Sequence, residues 1–186
     1  SKTVGYIDLH HDIKAHDYTK YRIGSISKTY TAVLVLKAVD KKLLRLDQTL
    51  DKFYPSIPNS AQITIKQMLQ HSSGIASITD DTSYYSFYLK PITEEQMIKR
   101  IKNLKPSFSP NERISYSNSN YILLSYILQK VFKKPYAKIL ADEITIPLKL
   151  GNTRVSYKIN PLLKEAKSYR HRGYWIDQPE TDMSVP

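Results

Sequence analysis

The spacing of apolar residues changes period several times along the chain, and each change predicts an element. Residues 1–24 alternate irregularly and carry β-formers in "TVGYIDL" and "YRI", which predicts a strand, a loop and a short lead-in. From Ser25 the pattern turns helical: Ala32, Leu34, Val35, Leu36, Val39, Leu43 and Leu44 predict a long buried helix ending near "KKLLRLDQ". "DKFYPSIPNSAQ" reads as a proline-bearing loop. Thr64 and Gln67 stand at capping-box spacing and Gly74 is a stop, which predicts a short helix over 65–71. A second box, Thr93 to Gln96, opens "EEQMIKRIKNLK", and Pro106 closes it. A turn at Pro110-Asn111, an extended "RISYS" and a helix from Asn120 to Lys133 capped by Ser119 or Asn118 follow. "PYAKILADEIT" predicts one more helix and "IPLKLGNTRVSY" a return to loop and strand, whereas "SYRHRGYWIDQPETDMSVP" shows no periodicity. Helices dominate an α+β chain whose strands are too few to complete a sheet.

Composition narrows the classes. The 186 residues suffice for one domain with a sizeable core. No run approaches the roughly 18 apolar residues of a membrane span, and the N-terminal stretch has no apolar core of the signal-peptide kind. Zero cysteines exclude disulfides and thiolate metal sites. The net charge of +11, from 28 Lys and Arg against 17 Asp and Glu, implies attraction to anionic partners. Those cations are scattered through "KKLLR", "IKRIKNLK" and "KVFKK" as solvated helix faces rather than gathered into a polyanion groove, so no nucleic acid is expected as partner.

The chemistry begins at "YRIGSISKTYTAVLVLKAVDKK". Ser25 and Lys28 are three apart on a predicted helix, so their side chains share a face and can meet. A lysine is out of place at a helix N-terminus, where the macrodipole is positive. Its position has a reason if Lys28 is a proton partner, because burial and the dipole disfavour the ammonium form and a serine hydroxyl needs a base before it attacks. The competing reading makes Ser25 an N-cap and Lys28 a surface residue. In "YSNSN", Tyr116 and Asn118 lie two apart in extended backbone and can point into the same space, where a phenol shuttles protons and an amide holds a lysine and a carbonyl. Alone, these two residues also fit a core tyrosine and a turn.

Together these stretches resemble the serine β-lactamase and penicillin-binding-protein superfamily, in particular its class C β-lactamase, D-alanyl-D-alanine carboxypeptidase and esterase branch. "YRIGSISKTYTAVLVLKAVDKKLLRLDQTLDKFYP" resembles the nucleophile helix, "ITIKQMLQHSSGI" the next helix and its His-Ser-Ser-Gly turn, "ISYSNSNYILLSYILQKV" the Tyr-x-Asn segment, and "IPLKLGNT" a later loop element. The resemblance implies a β-lactamase/transpeptidase-like fold, here mainly its helical part. Residues 1–24 would belong to the sheet side, 25–155 would form the catalytic core, and 156–186 would be an irregular tail leading toward further sheet. It implies Ser25 as acylated nucleophile, Lys28 as its proton partner, Tyr116 as general base and acid, Asn118 as the substrate's amide binder, and the Ser25 N–H as half of an oxyanion hole. It implies no metal and no cofactor, a D-alanyl peptide, β-lactam or small ester as substrate, and a periplasmic or extracellular place of work.

One family element has no counterpart where it belongs: the late Lys-Thr-Gly or His-x-Gly strand. "HRG", His171 to Gly173, has matching letters but follows Tyr116 closely and resembles the family's mid-chain Gly-Tyr segment. The family also has strands before the position of Ser1 and after that of Pro186, so either a complementing chain or fragment completes the sheet or the chain is a catalytically incompetent remnant that binds cell-wall peptide or a partner protein. Other chemistries fare worse. "GSISKT" has Ser27 where a phosphate loop has glycine, and no Gly-x-Ser-x-Gly elbow occurs. His10, His11, Asp12, His16 and Asp17 cluster like a metal tract but read better as a solvated loop. Tyr84, Tyr85, Phe87 and Tyr88 of "SYYSFY" either pack over the helices or, by the resemblance, flank the active-site mouth and shape substrate choice.

Overall fold

Both predicted capping boxes form, and each sets a helix. In the computed structural model, which describes residues 2–155 and 158–180, Gln67 N donates to Thr64 Oγ1 at 3.2 Å and Thr64 N to Gln67 Oε1 at 2.7 Å. Thr93 and Gln96 exchange the same two bonds at 3.2 and 3.0 Å. The helices are α1 (Ser27–Asp40), α2 (Ile65–Leu69), α3 (Glu94–Asn103), α4 (Asn118–Phe132) and α5 (Tyr136–Leu140), the last widening into a π turn at Ala141–Thr145. None is long and apolar enough to cross a membrane.

The core is helix on helix. Leu34, Val35 and Ala38 of α1 meet Leu123, Leu124 and Ile127 of α4, with Met68 of α2 and Ile139 of α5 closing the sides. The pattern on α1 misleads in one respect: Leu36 is exposed and Thr31 buried. A helix apolar nearly all round carries no moment to say which face packs, and here Thr31 turns inward to share a hydrogen bond with Tyr136 Oη at 2.7 Å.

Two helices end on non-glycine residues in a chain that has only five glycines. α2 stops at His71, φ 57°, rather than at Gly74, and α4 stops at Lys133, φ 53°. In both, the next N–H reaches back five residues, Ser72 to Gln67 O at 2.9 Å and Lys134 to Gln129 O at 3.3 Å, which is the Schellman arrangement. A left-handed conformation costs an L-residue about 1–2 kcal/mol. Lys133→Gly at this exposed position should therefore stabilise by about 0.5–1 kcal/mol after the added freedom of the unfolded chain is subtracted. Thermal denaturation should show Tm higher by roughly 1–4 °C, and a lower Tm would refute this account of the helix end.

The strands form two antiparallel ribbons, β1 (Tyr6–Asp8) with β2 (Ile13–Lys14) and β3 (Tyr169–His171) with β4 (Trp175–Asp177). The second ribbon replaces the aperiodic tail expected over these residues: its three-residue strands are too short and too exposed to show alternation, and Gly173 at φ 77° makes the turn. The end of the strand expected in "RVSY" falls on Ser156 and Tyr157, outside the described residues. Lys167 N donates to Ile7 O at 2.9 Å and Leu9 N to Tyr169 Oη at 2.9 Å, joining the ribbons. Asp8, 2 % exposed, sits between them and accepts from Lys167 Nζ and His11 Nδ1, each at 2.8 Å. Burial opposes its charge, but these bonds outweigh burial and hold its carboxyl well below the usual range. His10 pairs with Asp177 at 2.9 Å and Asp17 accepts from Thr3 at 2.8 Å. His10 and His11 are thus tied to carboxylates, and among the described residues no group of His, Cys, Asp or Glu is placed to hold a metal.

Candidate active site

Gly24 turns the chain into α1. Its φ of 51° is left-handed, and a Cβ there would meet nothing within 4 Å, so backbone conformation rather than crowding selects glycine. Ser25 falls in the resulting 3-10 turn, Gly24–Ile26, two residues before α1 rather than inside it. It caps nothing. Its exposed hydroxyl instead accepts from Lys28 Nζ at 3.1 Å and from Tyr116 Oη at 2.7 Å.

Two segments supply these partners. Lys28, half-buried on the first turn of α1, also donates to Asn118 Oδ1 at 2.8 Å and lies 5.0 Å from the centre of the Tyr116 ring. Asn118 opens α4, two residues earlier than the pattern predicted. Neither it nor Ser119 caps that helix, because their side chains are engaged elsewhere: Ser119 Oγ accepts from Ile78 N at 2.9 Å and donates to Ala76 O at 2.7 Å. The Asn118 amide nitrogen donates to Thr79 Oγ1 at 2.8 Å, which fixes its oxygen toward Lys28. The structure therefore brings Ser25, Lys28, Tyr116 and Asn118 into one hydrogen-bonded group. His171 is not among them: it meets the Trp175 ring edge-on, centroids 4.9 Å apart, on the β3–β4 ribbon.

Tyr116 is aimed by a neighbour that the sequence reading left without a role. His71 packs its ring on Tyr116 at 4.6 Å and on Tyr121 at 5.1 Å, and its Nδ1 accepts from Ser117 N at 3.1 Å. That bond leaves the ring proton on Nε2. Burial and then the Lys28 charge push the His71 pKa down, so the ring stays neutral where a free histidine begins to protonate. For Tyr116, burial favours the neutral phenol, but the Lys28 cation and the bond with Ser25 outweigh it and lower the pKa below its ordinary 10.0. The signal for Ser77 and Thr79, which line up behind Asn118, was present as a Ser-x-Thr alternation in "ASIT".

A cavity of about 550 Å³ opens beside this group. Lys28, Asn118 and Thr79 stand at one side, the aromatic turn at Tyr84–Tyr88 forms another, and Asn152 and Thr153 of the "IPLKLGNT" loop a third.

A family model described as Beta-lactamase matches residues 1–184. This chain belongs to the β-lactamase family. Within that family it is 32 % identical over 190 residues to the protein flp of Staphylococcus aureus strain MRSA252, covering 98 % of this chain and 38 % of that one. Among solved structures it is similar to a D-stereospecific amidohydrolase from a Streptomyces species, with TM-score 0.77, 28 % identity, and coverage of 90 % of this chain and 54 % of that one. It is also similar to the D-amino acid amidase of Ochrobactrum anthropi SV3 in complex with L-phenylalanine, with TM-score 0.82, 25 % identity, and coverage of 96 % and 51 %. The fold is β-lactamase/transpeptidase-like with helices dominant, and the β-lactamase-family chain spans about half or less of these relatives, which are hydrolases where their names state an activity.

Proposed function

We propose that the chain carries the acyl-transfer centre of a serine hydrolase, with Ser25 as nucleophile, Tyr116 as the group that takes and returns its proton, Lys28 as the partner that holds Ser25 and favours the Tyr116 phenolate, and Asn118 as holder of Lys28 and of the substrate's amide. The observation that carries this reading is the hydroxyl of Ser25 held at 2.7 Å from Tyr116 Oη and 3.1 Å from Lys28 Nζ. Tyr116, as phenolate, takes the Ser25 proton while Oγ bonds to the carbonyl carbon. Charge gathers on the carbonyl oxygen, near the Ser25 N–H. Tyr116 then gives its proton to the leaving amine or alcohol as the C–N or C–O bond breaks, leaving acyl-Ser25 and a free leaving group. Water repeats the cycle, with Tyr116 as base, and releases a carboxylic acid.

The 28 % likeness to a D-stereospecific amidohydrolase favours an amide substrate over an ester, with D-alanyl peptides and β-lactams in the same chemical class. A cell-wall peptide substrate would place the work outside the cytoplasmic membrane. The test is the intact mass of the chain after exposure to a fluorescent penicillin and, separately, to p-nitrophenyl acetate. One adduct per chain, absent in Ser25→Ala, is expected. No adduct on a chain whose circular dichroism shows it folded would overturn the proposal.

A further inference from the structure

The aromatic turn after Thr79 is built rather than loose. Asp81 Oδ1 accepts from Ser83 N at 2.8 Å, Phe87 N and Tyr88 N both donate to Tyr84 O, at 3.1 and 3.0 Å, and the Tyr84 ring meets Tyr85, Phe87 and Tyr88 at 5.9, 5.4 and 5.5 Å. The Arg100 guanidinium lies 4.1 Å over the Phe87 ring and locks it from behind. Only four residues separate this turn from Thr79, whose hydroxyl holds Asn118, so wall and reacting group are set by one short segment. Tyr84, Phe87 and Tyr88 face the cavity together with Ile92, Met97 and Ile122.

The two sides of Ser25 differ. Lys28, Asn118 and Thr79 border the cavity, whereas Tyr116 stands outside it and is 51 % exposed. In the reaction above the leaving group takes its proton from Tyr116 and must escape to solvent, so it belongs on the Tyr116 side. What stays on Ser25 then points into the cavity.

We propose that the cavity is an acyl-group pocket, and that the substrate carries an aromatic or branched apolar group on the carbonyl side of its scissile bond. A small acyl group such as acetyl would leave the Tyr84, Phe87 and Tyr88 wall in contact with water, whereas a phenyl ring covers it and gains ring-on-ring contact. This rests on Ser25 being the acylated residue, and two separate measurements keep the ideas apart. In the first, kcat/KM for p-nitrophenyl phenylacetate should exceed that for the acetate by about tenfold or more. The ratio should fall toward one in Tyr88→Ala, persist in Tyr88→Phe, and invert in Ile122→Trp, which fills the pocket; far-UV circular dichroism reports whether each variant is folded. In the second, Ser25→Ala should bind 3-phenylpropanamide about tenfold or more tightly than propanamide in an NMR titration. Equal ester ratios in the intact chain and Tyr88→Ala, or equal amide affinities, would overturn the pocket. Tight binding of the aromatic amide with no Ser25-dependent turnover of either ester would support the pocket and overturn the acyl-enzyme.

Discussion

Lys28→Met is expected to slow acylation of Ser25 by about 10²–10⁴-fold at neutral pH and to move the alkaline limb of the rate profile upward. Methionine keeps the length of the lysine stem but removes the charge. In the proposed reaction the phenolate of Tyr116 is the working form, so the rate climbs as pH rises through its pKa. That pKa lies below 10.0 because Lys28 and the Ser25 bond outweigh burial. With the cation gone, burial is the dominant remaining influence, and it acts in the opposite direction. The limb should then sit at or above the ordinary tyrosine value, and part of the lost rate should return in strongly alkaline buffer. Asn118 Oδ1 also loses its 2.8 Å partner, a contact of about 1.5–3 kcal/mol because the donor is charged, so Tm should fall as well. Single-turnover release of p-nitrophenol between pH 6 and 11 measures the limb. A slower reaction with an unmoved limb would mean that Lys28 positions Ser25 without acting on Tyr116.

The Ser25–Lys28 pair was legible because helical spacing alone brings residues three apart together, and Tyr116 with Asn118 because extended backbone puts alternate side chains on one side. What the sequence could not show is that two distant segments, 25–28 and 116–118, close into one hydrogen-bonded group in which Lys28 and Tyr116 both donate to the Ser25 hydroxyl. Asn118 looked like a cap and is instead held by Thr79, 39 positions away. His71 looked like one letter of a turn, but its left-handed backbone and its bond from Ser117 are set by tertiary contact. Local pattern failed in a second way where elements are short or uniformly apolar. The β3–β4 ribbon has three residues to a strand, and α1 exposes Leu36 and Val33 while burying Thr31. Period and propensity describe a residue's own element, and these outcomes were decided by the neighbouring one.

The segment that aims Tyr116 is tied to the turn after α2 by three backbone bonds: Ser107 N to Gly74 O at 2.9 Å, Asn111 N to Ser72 O at 2.7 Å and Ser115 N to His71 O at 2.9 Å. Gly74 makes that approach possible. Its φ is 77°, and a Cβ at this position would lie 2.0 Å from the carbonyl oxygen of Phe108, a backbone atom with no rotamer to escape into. Gly74→Ala should therefore cost about 1–2 kcal/mol for the left-handed backbone and about 1–3 kcal/mol for the forced shift. At about 2–4 °C per kcal/mol for a chain of this size, Tm should drop by roughly 4–20 °C. Activity should fall further than stability explains, because the shift propagates along 107–115 to the 2.7 Å contact between Tyr116 and Ser25. Acylation rate measured well below the variant's Tm separates the two effects, because a chain that is only less stable is fully folded there and should react at the parent rate. A Gly74→Ala chain that melts within 2 °C of the parent would show that the 107–115 segment yields freely, and Tyr116 would then owe its aim to the His71 ring alone.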